Sequence, residues 1–533
     1  MSGLKPYTGP WDEVHLIHLL RRTLWGVSIE DIKKFKGKTL DECLDVLLTP
    51  TDPIEPDPPV NSYSVDDLKD PYIPFGKVWV HAPKPVILED LQFINEERRN
   101  NCLKGWWAGQ MINQKMSLSE KMLVFWHNNL ATQSKFMLDV RYLYWHTVLL
   151  RRHALGNFKT LVREVTTDPC MLVYLNGNTN IKGTPNENYG RELQEFFTVG
   201  KGKDSHYTED DVKAAAKVLT GWRDNPDEIL SYFDADEHDT SDKKFSAFYN
   251  NHVIKGRTGM DGAKETDELI DMLFAKEETA KSLSRKLYRW FVHYDLNDRI
   301  EAEVITPLSE IVIKNNYNIV PVLRALLSCD CFYDEELRGQ MIKSGLDYAV
   351  GAVRQFELSF PPATDIAPLY DAWYAVAGGA AQFLQEVGDP PSVAGWPAYY
   401  ESPTFYKRWI DSNLLQFRRA VVNGFASSFG LPAQGHIFRI DVIAFTSKLE
   451  NPSDPAKLID SSLNIILPLP LADAQKEFMK QILNGSPDET KYWTNLWTAF
   501  SNDPGNTKLR EEVDEKLRVF YTYIVNLSEY QMM

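Results

Sequence analysis

Apolar residues recur three and four positions apart along most of this chain, and that spacing limits the available folds more than any other feature. A 3.6-residue period buries one stripe of a helix and cannot alternate between two faces as a strand must. Residues 13–26 show it first, with His15, Leu16, Leu19 and Leu20 on one face and Gly26 as a C-terminal stop. Residues 28–48 read as two short helices, the second carrying Leu40, Cys43, Leu44 and Leu47. From Leu88 to about Gly221 helix follows helix. Ser117-x-x-Glu120 has the form of a capping box opening a helix through Ala131, and Thr208-Glu209-Asp210-Asp211 supplies a cap and an acidic first turn to another. Helices resume at Lys264, continue to about Gln385, and run again from Ser412 to the C-terminus. The fold class expected is mainly α: a large multi-helix single unit with irregular loop insertions.

Three stretches interrupt the helical period. Residues 50–85 hold Pro53, Pro56, Pro58 and Pro59 and are too proline-dense for a helix, so an extended N-terminal arm is expected. Residues 222–262 read as a long loop or short hairpin insertion, with short strands near Tyr232 and Val253. Residues 388–403, opening Gly-Asp-Pro-Pro-Ser-Val-Ala-Gly-Trp-Pro, form the second irregular segment. The resulting division is N-terminal helices and arm at 1–85, a helical core at 86–425, and a C-terminal helical segment at 426–533 packing on that core.

At 43% hydrophobic and 12% aromatic residues, 533 residues are ample for a large core, which excludes global disorder. Asp and Glu number 74 against 58 Lys and Arg, a net charge of -16. That balance argues against a nucleic-acid scaffold or a binder of anionic membranes. No apolar run approaches the ~18 residues of a membrane span, and the N-terminus lacks a basic-then-apolar signal pattern, so a cytoplasmic protein or one exported with a partner is expected. The five cysteines are too scattered for a disulfide framework and read as small buried hydrophobes; Cys329-x-Cys331 lacks the second pair of a zinc site.

The common catalytic signatures (G-x-G-x-x-G, the P-loop, H-E-x-x-H, G-x-S-x-G) are absent. The run from Asp234 to Phe245 begins like a calcium loop but has Asp239 where the turn needs Gly and Phe245 where it needs Glu; a weaker carboxylate site there stays open. His127 is flanked one turn away by Leu123, Val124, Leu130 and Ala131, which turns its imidazole inward, where a core histidine with one partner is the plain alternative to a functional one. On the segment with Tyr189, Leu193, Phe196 and Phe197 as its core face, Glu187, Arg191 and Glu195 can pair as ordinary salt bridges. Glu192 borders that core face and needs a cation, a donor or a metal. His146 and His153 are seven residues, roughly 10 Å, apart on one helix and do not clasp one ion; His153 suits a helix C-terminus. Arg285-Lys286 reads as a solvated helix edge or an anion clamp.

At these residues the chain resembles a bacterial family catalogued as domain of unknown function 1800. The shared elements are His18-Leu-Leu-Arg21-Arg22, Lys121 to Asn128, Arg152 to Phe158, Pro185 to Leu193, Ala216 to Trp222, His238 to Lys243, Arg285 to Arg289 and Pro390 to Pro397. Two positions depart from the family pattern. Asn129 stands where many members carry a second His, and Lys343-Ser-Gly-Leu-Asp347 replaces Lys-Ser-Pro-Val-Glu. The resemblance carries no assigned reaction. It implies a partner of the domain of unknown function 1501 family, which resembles sulfatase- and phosphatase-like exported proteins.

Together these readings give two expectations. The first is a hydrolase-like enzyme acting on a polar or glycan-like substrate, with a divalent metal open as cofactor. His127, Glu192, His238 and Asp239 would be catalytic, and Asn128, Arg152, Asn186, Asn188, Arg191, Trp222, Lys243 and Arg285 would bind substrate. The second is a binding or assembly protein working with the sulfatase-like partner, with the loops around Trp222 and Trp396 as interface anchors.

Overall fold

The computed structural model describes residues 3–64, 69–83, 89–202, 205–486 and 490–533. Its architecture is mainly α, as the helical period requires, with three short two-stranded antiparallel hairpins among the described residues. The central packing is between the long helix Glu89–Ile112 and the helix Ile366–Gln382, with Gly345–Gln355 against both. Gly109 permits this close approach, because a Cβ there would sit 2.6 Å from the Trp373 ring.

Around this centre the helices pack mostly with their sequence neighbours. Ser119–Asn129 lies on Arg141–Arg152, Phe158–Thr166 on Lys264–Phe274, and Glu187–Glu192 on Glu209–Val218. The C-terminal helices, from Ser412–Ala426 to Tyr492–Asn502, gather on Thr507–Val525. One continuous apolar core runs through all of these elements. The chain ends are drawn onto one segment: Pro6 pairs with Cys329, and Ile342 pairs with Met532.

Residues 222–262 form two of the hairpins, Trp222–Asn225 with Leu230–Phe233 and Lys243–Lys244 with Val253–Ile254. The proline-dense segment contains no helix among its described residues, of which 65–68 and 84–85 are not part. It is tied to the core by Trp79, fully buried, and by Trp106 Nε1 donating to Asp57 O at 2.9 Å.

Local signals and tertiary outcome differ in four places. The Thr208 capping box forms, but that of Ser117 does not: the Ser117 hydroxyl donates to Thr49 O at 2.7 Å and the helix starts at Ser119. Glu120 pairs instead with Arg151 at 2.9 Å. Cys329 and Cys331 are not free thiols but a disulfide, because their chain segment turns back on itself there. Trp396 is 1% exposed, so its ring belongs to the core and offers no interface anchor. Lys286 is not a solvated edge, since its ammonium is buried against Phe196 O.

Candidate functional site

The end of one helix, the side of a second and the start of a third converge on a buried polar seam. The helix Ser119–Asn129 has no polar stripe wide enough to reach solvent near its end, so His127 turns into the protein and is fully buried. Its ring packs on Trp107, Trp396 and His146, with centroids 5.2, 6.1 and 6.3 Å away. Neither ring nitrogen has a hydrogen-bond partner in the protein. Burial, with the nearby His146, pushes its pKa down to about 3, so the ring is neutral.

His146, from the helix Arg141–Arg152, is equally buried. Its Nδ1 lies 2.9 Å from Asp168 Oδ2, while Nε2 has no partner. Asp168 stands here because Asp-Pro opens the helix Pro169–Tyr174: the carboxylate caps it by accepting from the Met171 amide at 3.1 Å, and Pro169 fills a first-turn position that needs no N–H. Cys170 follows on the same turn, 1% exposed, with burial pushing its thiol well up and the Thr132 hydroxyl beside it.

Beyond Cys170 the seam reaches Tyr174, whose hydroxyl donates to Gln133 Oε1 at 3.1 Å, and whose ring meets the exposed Phe136 at 6.1 Å. Burial, then the charge of Glu192, raises the Tyr174 phenol to about 12. Glu192 is half-buried, its Oε2 is buried without a partner, and burial together with the Glu195 charge lifts its carboxyl to about 7. It is the last residue of the helix Glu187–Glu192, after which the backbone widens into a π-helical turn over Leu193–Phe197. Such turns shift side-chain register and are frequent at functional sites.

On the other side of that turn is a cleft of about 420 Å³ lined by both signs of charge, among them Glu195, Lys201, Arg285, Arg289 and Glu301. Arg285 is paired with Glu301 at 2.7 and 3.0 Å. Burial, then the Arg289 charge, lowers Lys286 to about 8, and its ammonium donates to Phe196 O on the π turn.

The other residues proposed from sequence have separate partners. His238 and Lys243 meet on Glu265: His238 Nε2 lies 3.1 Å from Oε1 and Lys243 Nζ 2.5 Å from Oε2, with all three side chains fully buried. Against the penalty of burial, those two contacts and the Arg257 amide hold the Glu265 carboxyl below its usual range. His238 Nδ1 lies 2.9 Å from Thr220 O, and its ring packs on Phe233. None of these neighbours is among those of His127. Asp239 accepts from the Ser241 amide at 2.8 Å; burial opposes, but the Ser241 hydrogen bonds prevail and lower its pKa.

Asn128 Oδ1 accepts the Trp396 amide at 2.9 Å, and Trp222 Nε1 donates to Thr266 Oγ1 at 3.0 Å. Asn186 caps its helix by accepting from the exposed Asn188 amide at 3.0 Å. Arg191 pairs with Glu187 at 3.2 Å and Glu209 at 2.6 Å, and Arg152 with Glu55 at 2.5 Å. The seam therefore holds His127 of the expected residues and adds His146, Asp168, Cys170 and Tyr174, while the charged groups that act on Glu192 are Glu195, Arg191 and Lys201. Of these added residues only His146 entered the sequence reading as a candidate ligand, and the Asp168-Pro169 pair is the local signal that marks the start of the helix Pro169–Tyr174. Among the described residues of the run 234–245, no three acidic, His or Cys side chains come together as a cation site.

Among the described residues no helix is long and apolar enough to cross a membrane. Comparison with curated proteins and with solved structures gives no match. A family model described as protein of unknown function (DUF1800) matches residues 18–532, nearly the whole chain, and the protein belongs to that family.

Proposed function

We propose that the protein is a hydrolase-like enzyme acting on a polar, glycan-like substrate, with Glu192 as its general acid. The observation that carries this reading is the Glu192 carboxyl: its Oε2 is buried without a partner, and its pKa is raised to about 7. A carboxyl tuned to neutrality holds a proton it can give to a leaving group at working pH. The imidazole of His127, whose ring nitrogens have no partner in the protein, is the candidate acceptor of the proton released by water. The charged cleft beside the π turn suits a substrate rich in hydroxyl groups, with Arg285 and Lys201 on its wall. Hydrolysis then divides into proton donation at Glu192 and proton acceptance at a histidine.

The test is a screen of the purified full-length protein against glycosides and acylated glycans, followed by Glu192→Gln and His127→Asn. Turnover falling by about 10²–10⁴-fold in Glu192→Gln, with the variant still folded, is expected. Undiminished turnover in that variant, or no turnover on any member of the panel, overturns the reading.

A second reading, assembly with a sulfatase-like partner, draws on one observation. Phe136, Leu138 and Leu230 are 60%, 85% and 58% exposed, and the segments carrying them meet through Met137 and Ile229. An exposed apolar rim of this kind suits a protein contact. Co-purification with the partner, lost on Leu138→Asp, supports it; a monomer in the partner's presence counts against it.

A further inference from the structure

We propose that His146, Asp168 and Cys170, with the His127 ring packed on that of His146, form a binding site for a borderline-soft divalent cation of the zinc class. A ring nitrogen of His146, a carboxylate oxygen of Asp168 and Cys170 Sγ all lie within 4.8 Å of one another. Small side-chain adjustments bring such atoms to the roughly 2.0–2.3 Å that zinc requires of N, O and S donors. The donors come from two elements that are already fixed, the helix Arg141–Arg152 and the capped start of Pro169–Tyr174. The cation would therefore find its ligands largely placed.

Burial and charge point the same way. His127 and His146 are 0% exposed and Cys170 is 1% exposed. A plain structural hydrogen bond from His146 to Asp168 explains one nitrogen and one carboxylate. It leaves His146 Nε2 and both nitrogens of His127 unpartnered in the interior, where an unmet polar atom is destabilising. A divalent ion held by one carboxylate and one thiolate is neutral overall, which removes the cost of a buried charge. On coordination the thiol proton leaves to solvent, and no redox change occurs. Nitrogen, oxygen and sulfur together exclude magnesium and calcium, which take oxygen ligands, and select zinc, cobalt(II) or a similar ion. Three protein donors leave a fourth position, and the His127 ring lies 6.3 Å from that of His146.

This site meets the hydrolase reading only at His127, which is not one of the three donors, and a cation can be bound at His146, Asp168 and Cys170 whether or not Glu192 is a general acid. The full-length protein is stripped with a chelator and titrated with Co²⁺ alone, then with Zn²⁺ in competition. One Co²⁺ per chain is expected, with a near-ultraviolet thiolate-to-cobalt charge-transfer band. Cys170→Ser should remove that band, and His146→Gln should weaken binding by about 100-fold or more. Cys102→Ser, at a buried cysteine outside the site, should leave the band intact. Should the site variants fail to fold, X-ray absorption on the zinc-loaded wild type decides, with one sulfur at about 2.3 Å and the remaining donors nitrogen or oxygen. Less than a tenth of an equivalent bound, a band that survives Cys170→Ser, or a zinc shell without sulfur overturns the proposal.

Discussion

Asn128 Oδ1 accepts the backbone N–H of Trp396 at 2.9 Å, joining the end of the His127 helix to a loop 268 residues further along the chain. The contact depends on Gly395, whose φ is +90° and whose missing Cβ would lie 2.3 Å from Asn128 O. Through it Trp396 is seated against the His127 ring. Gly395→Ala should therefore cost on the order of 3 kcal/mol from strain and overlap, and Asn128→Ala about 1–3 kcal/mol from the unpaired amide. Denaturant titration measures both, and a Gly395→Ala variant as stable as wild type would refute the close approach.

The buried Lys243–Glu265 pair should behave as a unit. Glu265→Leu alone leaves the buried ammonium without its carboxylate and should cost about 3–5 kcal/mol. Lys243→Met with Glu265→Leu should recover only the part due to the ammonium, since His238 and the Arg257 amide still lose their acceptor. A double-mutant cycle by chemical denaturation gives the coupling. Additive single effects would contradict the pairing.

Glu192 sets a pH dependence of stability. Its carboxyl titrates near 7 in the folded protein and near 4.5 when unfolded, so the folded state binds the extra proton between those values. The stabilisation from this group is complete below about pH 4.5 and is lost as pH rises through about 7. The partners in play are Glu195, which raises the carboxyl, and Arg191 and Lys201, which lower it. Glu192→Gln should flatten the Tm profile between pH 5 and 8 relative to wild type. Parallel profiles for the two proteins would rule the shift out.

Lys286 ties the helix Glu277–Phe291 to the π turn through Phe196 O. Lys286→Met removes the donor and should cost about 1–3 kcal/mol. Hydrogen exchange should accelerate over residues 193–200 in particular. Unchanged exchange there would show that the turn is held by its other contacts, such as Thr198 Oγ1 to Leu193 O at 2.6 Å and Tyr249 to Gln194 at 2.8 Å.

Much of the fold was legible because helix signals are local. The two helices within residues 28–48 appear as Ile29–Phe35 and Leu40–Leu47, both with capping boxes, and Thr208 caps its helix as its spacing predicts. The Ser117 box failed because a tertiary acceptor, Thr49 O, took the hydroxyl. The site was legible only in part. The apolar residues around His127 told that it points inward, and the edge position of Glu192 told that its carboxylate would be awkward to solvate. His146 was weighed only against His153 on its own helix, while its partner Asp168 lies 22 residues away at the start of another.

By itself the sequence determined the helical architecture, several helix starts such as Ile29, Leu40 and Glu209, and the inward turn of His127. Periodicity carries that information because each turn repeats the same geometry over a few residues. Which buried polar groups meet was decided by tertiary structure alone. His127 with His146, His146 with Asp168, and Lys243 with Glu265 face one another because packed elements bring their sides together at distances that no local spacing encodes.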